Sequence, residues 1–214
     1  MEPESYKLEA ESSLSYPRYD VPMQGKKVLG VDFDDVLVRT GDALAKFHNT
    51  TYGTAYAREH VKSFDLSEIW DCTPEEANRR IAEFTTTDFH HNAEAVLGAY
   101  DALEALSESY EIVIVTGRNE EWRDPTVLWL ERNFLGLYRE IHFASHSDPQ
   151  KQRLKSAIVQ ELNMSVFIDD ALHFAKDVAS VGVPVLLFDT PWNQGETPAG
   201  VTRVYSWDEI LEHL

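Results

Sequence analysis

Five short runs of aliphatic and β-branched residues recur along the chain. They are residues 28–33 (VLGVDF), 110–116 (YEIVIVT), 140–144 (EIHFA), 165–169 (SVFID) and 183–189 (VPVLLFD). Near-continuous apolar runs of this length, without polar alternation, predict strands covered on both faces. Helical segments separate them, at 124–133, 149–162 and 171–181, with a last one at 206–214. Ser147-Asp148-Pro149 and Asp124-Pro125 set a capping residue before a proline. Ser206 followed by Glu209 has the spacing of a capping box. Strands alternating with helices predict an α/β protein with a Rossmann-like parallel sheet.

The stretch between the first two runs breaks this rhythm. From Val38 to Ser109 no strand is evident, and helices are expected at 40–50, 55–60, 73–85 and 93–107. A strand-to-strand crossover needs far fewer residues. The surplus predicts a small helical cap at 40–108, inserted after the first strand. The α/β core is then 25–39 and 109–214. Residues 1–24 are polar and lack a clean period, and predict a loosely held tail.

Composition narrows the function. Hydrophobic residues make up 43% and charged residues 26%, as in a soluble globular chain. The net charge of −18 disfavours nucleic acid and anionic membrane as partners. An anionic substrate then needs a local cation. The single Cys72 excludes an internal disulfide. No apolar run is long enough for a transmembrane helix, and the N-terminus does not resemble a signal peptide. A cytoplasmic location is the expectation.

In a parallel sheet all carboxyl ends meet at one edge, where open α/β sheets bind ligands. The ends here carry Asp32, Asp34 and Asp35, then Thr116, Gly117 and Arg118, then Asp169 and Asp170. So many carboxylates in one crevice repel unless neutralised. Mg²⁺ is the expected cofactor, because it takes carboxylate, phosphate and water oxygens. Asp32, Asp169 and Asp170 are candidate ligands, with Asp34 through its backbone carbonyl.

These motifs resemble those of the haloacid dehalogenase superfamily of phosphohydrolases. VLGVDFDDVLV matches its hydrophobic strand ending in Asp-x-Asp, IVIVTGRN its strand ending in Thr, and VFIDD its acidic pair. The resemblance implies an aspartyl-phosphate mechanism. Asp32 would be the nucleophile and Asp34 the acid and base. Thr116, Gly117, Arg118 and a lysine would contact the phosphate. Lys155 fits the family pattern better than Lys151, one helical turn away. HNTTYGTAY, FDLSEIWDCTPEEANRRIAEF and VPVLLFDTPWNQ further resemble the deoxyribonucleotidase-like branch. The implied substrate is a small phosphorylated metabolite, a nucleoside monophosphate first, with base-stacking candidates Phe64, Trp70, Phe84 and Phe89. A sugar-phosphate phosphatase and a non-catalytic, metal-retaining binding module remain alternatives.

Other features read as structural. His90 and His91 are adjacent, point apart and have no ligand partner at helical spacing, so solvated or capping roles are expected. Trp122, Trp129, Phe134 and Tyr138 are expected in the core. Asp35 is expected to cap the helix after it, and Trp192 can serve either core or site.

Overall fold

In the computed structural model, residues 25–63, 65–145 and 150–214 are described. The expected tail, Phe64 and the Ser147-Asp148-Pro149 cap lie outside them. Six strands form one sheet: β1 (Lys27–Val31), β2 (Tyr110–Asn119), β3 (Glu140–Ser145), β4 (Met164–Asp169), β5 (Val185–Phe188) and β6 (Val201–Val204). Their order is β3-β2-β1-β4-β5-β6 and every pairing is parallel. Helices are α1 (Thr40–Tyr52), α2 (Leu66–Ile69), α3 (Pro74–Phe84), α4 (Asp88–His91), α5 (Ala99–Ser107), α6 (Arg123–Phe134), α7 (Lys155–Glu161), α8 (Leu172–Ser180) and α9 (Trp207–His213).

Burial on both faces explains the continuous apolar runs. Along β2, Ile112 and Ile114 face one side and join Leu103, Leu130, Phe134 and Trp207 from α5, α6 and α9. Val113 and Val115 face the other and join Ile158, Val159, Ala175 and Val178 from α7 and α8. The period of two sorts one strand into two cores. At Gly30 a Cβ would lie 2.3 Å from the Phe167 ring and 2.5 Å from Met164 Sδ, so only glycine fits there.

A third, smaller apolar cluster lies between β1 and β2 in sequence. Ala43, Phe47 and Phe84 form it, with Leu44, Tyr52 and Phe89 packed around. Helix α5, which also falls in the inserted stretch, instead packs in the sheet cluster through Ala99, Ala102, Leu103 and Leu106.

Several expected helices are shorter than their patterns. The 93–107 segment begins as extended chain, because Ala95 bridges Val38 and Val96 N–H donates to Leu37 O at 2.8 Å. Gly98, at φ +81°, then turns the chain into α5. The 149–162 segment becomes helical only at Lys155. Its first turn is capped from afar, Ser156 N–H donating to Asp177 Oδ2 at 2.9 Å. The 55–60 segment holds only a 3₁₀ turn at Arg58–His60. Helices α2 and α4 and edge strand β6 were not expected; at four residues each, they are too short to show a period.

Candidate active site

The carboxyl ends of β1, β2 and β4 converge as the parallel order requires. Asp32 follows β1 and is held by its own backbone, its N–H donating to Ile168 O at 2.9 Å. Asp169 ends β4, and its Oδ1 accepts from Ala171 N–H at 2.8 Å. Lys155, the first residue of α7, reaches between them. Its Nζ lies 2.9 Å from Asp32 Oδ1 and 2.8 Å from Asp169 Oδ2, and all three side chains are buried. Rings of Phe174 and Phe167 cover the ammonium at 4.4 and 5.3 Å. Lys151 is exposed, and Lys155 is the one of the two that lies at the strand ends.

Asp170 completes the group. Its Oδ2 accepts from Trp192 Nε1 at 2.6 Å, and its backbone oxygen accepts from Asn193 Nδ2 at 2.7 Å. One carboxylate oxygen from each of Asp32, Asp169 and Asp170 lies within 4.8 Å of the others. Three buried carboxylates against one lysine leave excess negative charge. The electrostatics register it. Burial pushes the Asp32 carboxyl up to about 7, with Lys155 opposing and Asp169 adding to the rise. Burial and the charges of Asp32 and Asp169 push Asp170 well above the ordinary range. Asp32 Oδ1 also lacks an aligned hydrogen bond, since the lysine contact is an ion pair off the hydrogen-bonding direction. This donor set fits a hard, oxygen-liganded divalent cation.

Asp34 is built differently. Arg118 holds it with two bonds, Nε to Oδ2 at 2.9 Å and Nη2 to Oδ1 at 2.8 Å, and Thr40 Oγ1 donates to Oδ1. Burial alone would raise this carboxyl, but Arg118 and the hydrogen bonds hold it below the ordinary value. Arg118 also donates through Nη1 to Thr126 and lies over the Phe33 ring. The guanidinium expected on a phosphate is therefore spent largely on Asp34. Thr116 is fully buried and accepts from Arg118 N–H at 3.0 Å, within the end of β2 where its pairing with β3 shifts register. Asp35 sits at φ 55°. Its carboxylate accepts from Gly41 N–H in α1, as expected of a cap, and pairs with Arg58 Nη1 at 2.5 Å. Burial raises it to about 6 despite that pair.

A cavity of about 410 Å³ opens over these residues. Asp32, Asp34, Asp35, Asp170, Gly117 and Arg118 floor it, and Leu44, Leu66, Ile81, Phe84, His90 and Trp122 line it from elsewhere in the chain. Of the expected stacking residues, Phe84 lines this cavity. Trp70 instead stacks on His48 with centroids 4.6 Å apart. Phe89 lines a separate hollow beside Arg39 and Lys46.

Three site residues were not legible in the sequence. His90 was expected in solvent or at a cap, yet it is buried and lines the cavity. Burial and the nearby Arg118 charge lower its ring to about 4. Trp122 was expected in the core and lines the cavity; Trp129 and Phe134 are core as expected. Arg58 carried no motif, but it links Asp35 to Trp192, whose ring lies 4.6 Å from its guanidinium carbon.

The family model for 5′ nucleotidase, deoxy (Pyrimidine), cytosolic type C proteins matches residues 26–214. The chain belongs to that family. Within this nucleotidase family the chain is a phosphomonoester hydrolase of the haloacid dehalogenase type. A candidate nucleotidase of Bacillus subtilis is 24% identical over 198 residues, covering 87% of this chain and 92% of the relative. The fold is shared with a haloacid dehalogenase-like hydrolase of Streptococcus pneumoniae, at TM-score 0.63 and 15% identity over 88% of this chain and 98% of that one. It is also shared with a candidate HAD-hydrolase of Bacillus subtilis bound to magnesium, at TM-score 0.60 and 15% identity over the same shares. No helix among the described residues is long and apolar enough to cross a membrane.

Proposed function

We propose that the protein hydrolyses nucleoside monophosphates with the aid of Mg²⁺, through an aspartyl-phosphate formed on Asp32. The observation that carries this reading is the buried Asp32, paired with Lys155 and grouped with Asp169 and Asp170 at the floor of an open cavity. Asp32, Asp169 and Asp170, with the Asp34 carbonyl, would hold the ion. Bound there, it would mask phosphoryl charge that otherwise repels an incoming carboxylate. A magnesium-bound protein of the same fold supports that choice.

The chain's own residues supply the rest. An Asp32 carboxylate oxygen attacks phosphorus as the ester oxygen leaves, giving an aspartyl-phosphate and an alcohol. Lys155 Nζ sits beside the attacking carboxylate and is positioned to take a phosphoryl oxygen in its place. Thr116 Oγ1 and the backbone at Gly117 offer further contacts. Asp34 protonates the leaving oxygen, then takes a proton from the water that cleaves the aspartyl-phosphate. The Arg118 pair keeps Asp34 ionised, the form needed for the second step. Protonating the leaving group requires that pair to loosen as substrate enters.

The apolar upper wall suits a nucleoside better than a bare sugar phosphate. The net charge of −18 supports a small substrate over a polynucleotide, and a cytoplasmic site of action is consistent with the family's description. The test is phosphate release from nucleoside 5′- and 3′-monophosphates, sugar phosphates and a chromogenic ester, with Mg²⁺ or chelator. Metal-dependent release that ranks nucleotides first supports the proposal. Release that ranks sugar phosphates first, or that is indifferent to chelator, contradicts it.

A further inference from the structure

His90 sits in α4. It is 6% exposed and lines the same cavity as Asp32 and Asp34. Both ring nitrogens are buried, and neither has a hydrogen-bond partner among the described residues. A buried polar atom left unpaired is costly. The ring's surroundings offer no relief, since Leu44, Ile81 and Trp122 line the wall and Phe84 meets the ring edge-on at 5.2 Å. Arg118 nearby bonds Asp34 and Thr126, not the His90 ring. His90 borders the cavity with both ring nitrogens unpaired, so a small turn of the ring toward a bound substrate would give them the partner they lack.

We propose that His90 hydrogen-bonds a hydroxyl of the sugar next to the scissile ester, and so selects sugar-bearing phosphate esters over esters of plain apolar alcohols. The inference rests on the phosphohydrolase reading above. In that reading Asp34 addresses the ester oxygen. His90 shares the cavity with Asp34 and feels its charge, so it meets the first atoms beyond that oxygen. In a nucleoside monophosphate those atoms belong to the sugar, and the base lies farther out. The complementarity is exact in kind: imidazole offers one donor and one acceptor, and so does a hydroxyl. A site built to bond a hydroxyl rejects substrates lacking it.

The test compares kcat/KM for a deoxynucleoside 5′-monophosphate, deoxyribose 5-phosphate and para-nitrophenyl phosphate in wild type, H90F and H90Q. In H90F the ratio of either sugar ester to the nitrophenyl ester should fall roughly tenfold, mainly through KM, for one lost hydrogen bond. H90Q, which keeps a donor and an acceptor, should recover part of that ratio. The melting temperature of H90F should equal or exceed that of wild type, because unpaired polar atoms are removed. H90L serves the same comparison if Phe is not accommodated. Equal losses on all three esters would mark His90 as merely structural and overturn the proposal, as would an unchanged ratio. A loss confined to the nucleotide would move the contact to the base and overturn the sugar assignment. A wild type inactive on all three esters with Mg²⁺ would instead bring down the phosphohydrolase reading, and this inference with it.

Discussion

Replacing Lys155 by methionine tests the electrostatic core of the site. The ammonium lies 2.9 Å from Asp32 and 2.8 Å from Asp169, and neither the lysine nor Asp169 side chain is exposed. Burial alone would lower the lysine, but the two carboxylates raise it above its ordinary value, so it is charged throughout the working range. Methionine keeps the length and apolar stem and removes the cation. Truncating one partner of a buried ion pair costs about 3–5 kcal/mol, because the other charge is left uncompensated. Two carboxylates lose the same partner here, which favours the upper end. Protonation limits the loss, since Asp32 already titrates near 7. For a domain of this size about 1 kcal/mol moves the melting temperature by about 2–4 °C, so K155M should melt roughly 6–20 °C lower at pH 8 in chelator. The pH dependence has a definite sign. A carboxyl raised in the folded state binds protons there that the unfolded chain has released. Its cost therefore grows as pH rises from about 4 through about 7, and in K155M the window extends higher. The deficit of K155M should shrink markedly at pH 5.5. Calorimetry of both proteins at the two pH values decides it. A K155M protein as stable as wild type at pH 8, or a deficit that does not depend on pH, would refute the reasoning.

Three further variants have expected outcomes. R118M frees Asp34 from the charge that lowers it, so the alkaline limb of the kcat/KM profile, which reports the protonated Asp34 that donates to the leaving oxygen, should move to higher pH. The stability this pair gives is present above the ordinary carboxylate value and lost as pH falls through the lowered one. R118M should therefore match wild type more closely in acid than at pH 7, by denaturant melts. G30A forces a methyl against Phe167 and Met164 and should destabilise by about 1–3 kcal/mol, read from urea midpoints. W192F removes the donor to Asp170, and the Mg²⁺ concentration for half-maximal phosphate release should rise about 10–100-fold.

Much of the fold was legible because the strands are buried on both faces. Each therefore shows as an unbroken apolar run, and strong local caps mark α3 and α9, where Thr73 and Ser206 accept from Glu76 and Glu209 N–H. Helix α7 was misplaced because its cap is Asp177, distant in sequence. The chain before α5 was misread because its pairing with Leu37 and Val38 lies some 60 positions back, beyond any local pattern. The convergence of Asp32, Asp169 and Asp170 was legible, since parallel strands must deliver their ends to one edge, whereas Lys155, which begins α7, was indicated only by the family pattern. His90, Arg58 and Trp122 were not legible. The place of His90 and Arg58 follows from how the inserted segment packs and that of Trp122 from the 3₁₀ turn after β2, and nothing in their own spacing records it.

The central claim is that Asp32 carries the phosphoryl group. Substituting Asp34 by asparagine removes the base for the second step and the acid for the first, but para-nitrophenyl phosphate needs no acid because its phenolate leaves without a proton, so with that ester the intermediate should accumulate. D34N incubated with para-nitrophenyl phosphate and Mg²⁺, quenched in acid and mapped by peptide mass spectrometry, should carry a phosphate on Asp32, and D32N should carry none. An active wild type whose D34N variant shows no phosphate on Asp32, or shows it on another residue, would contradict the account.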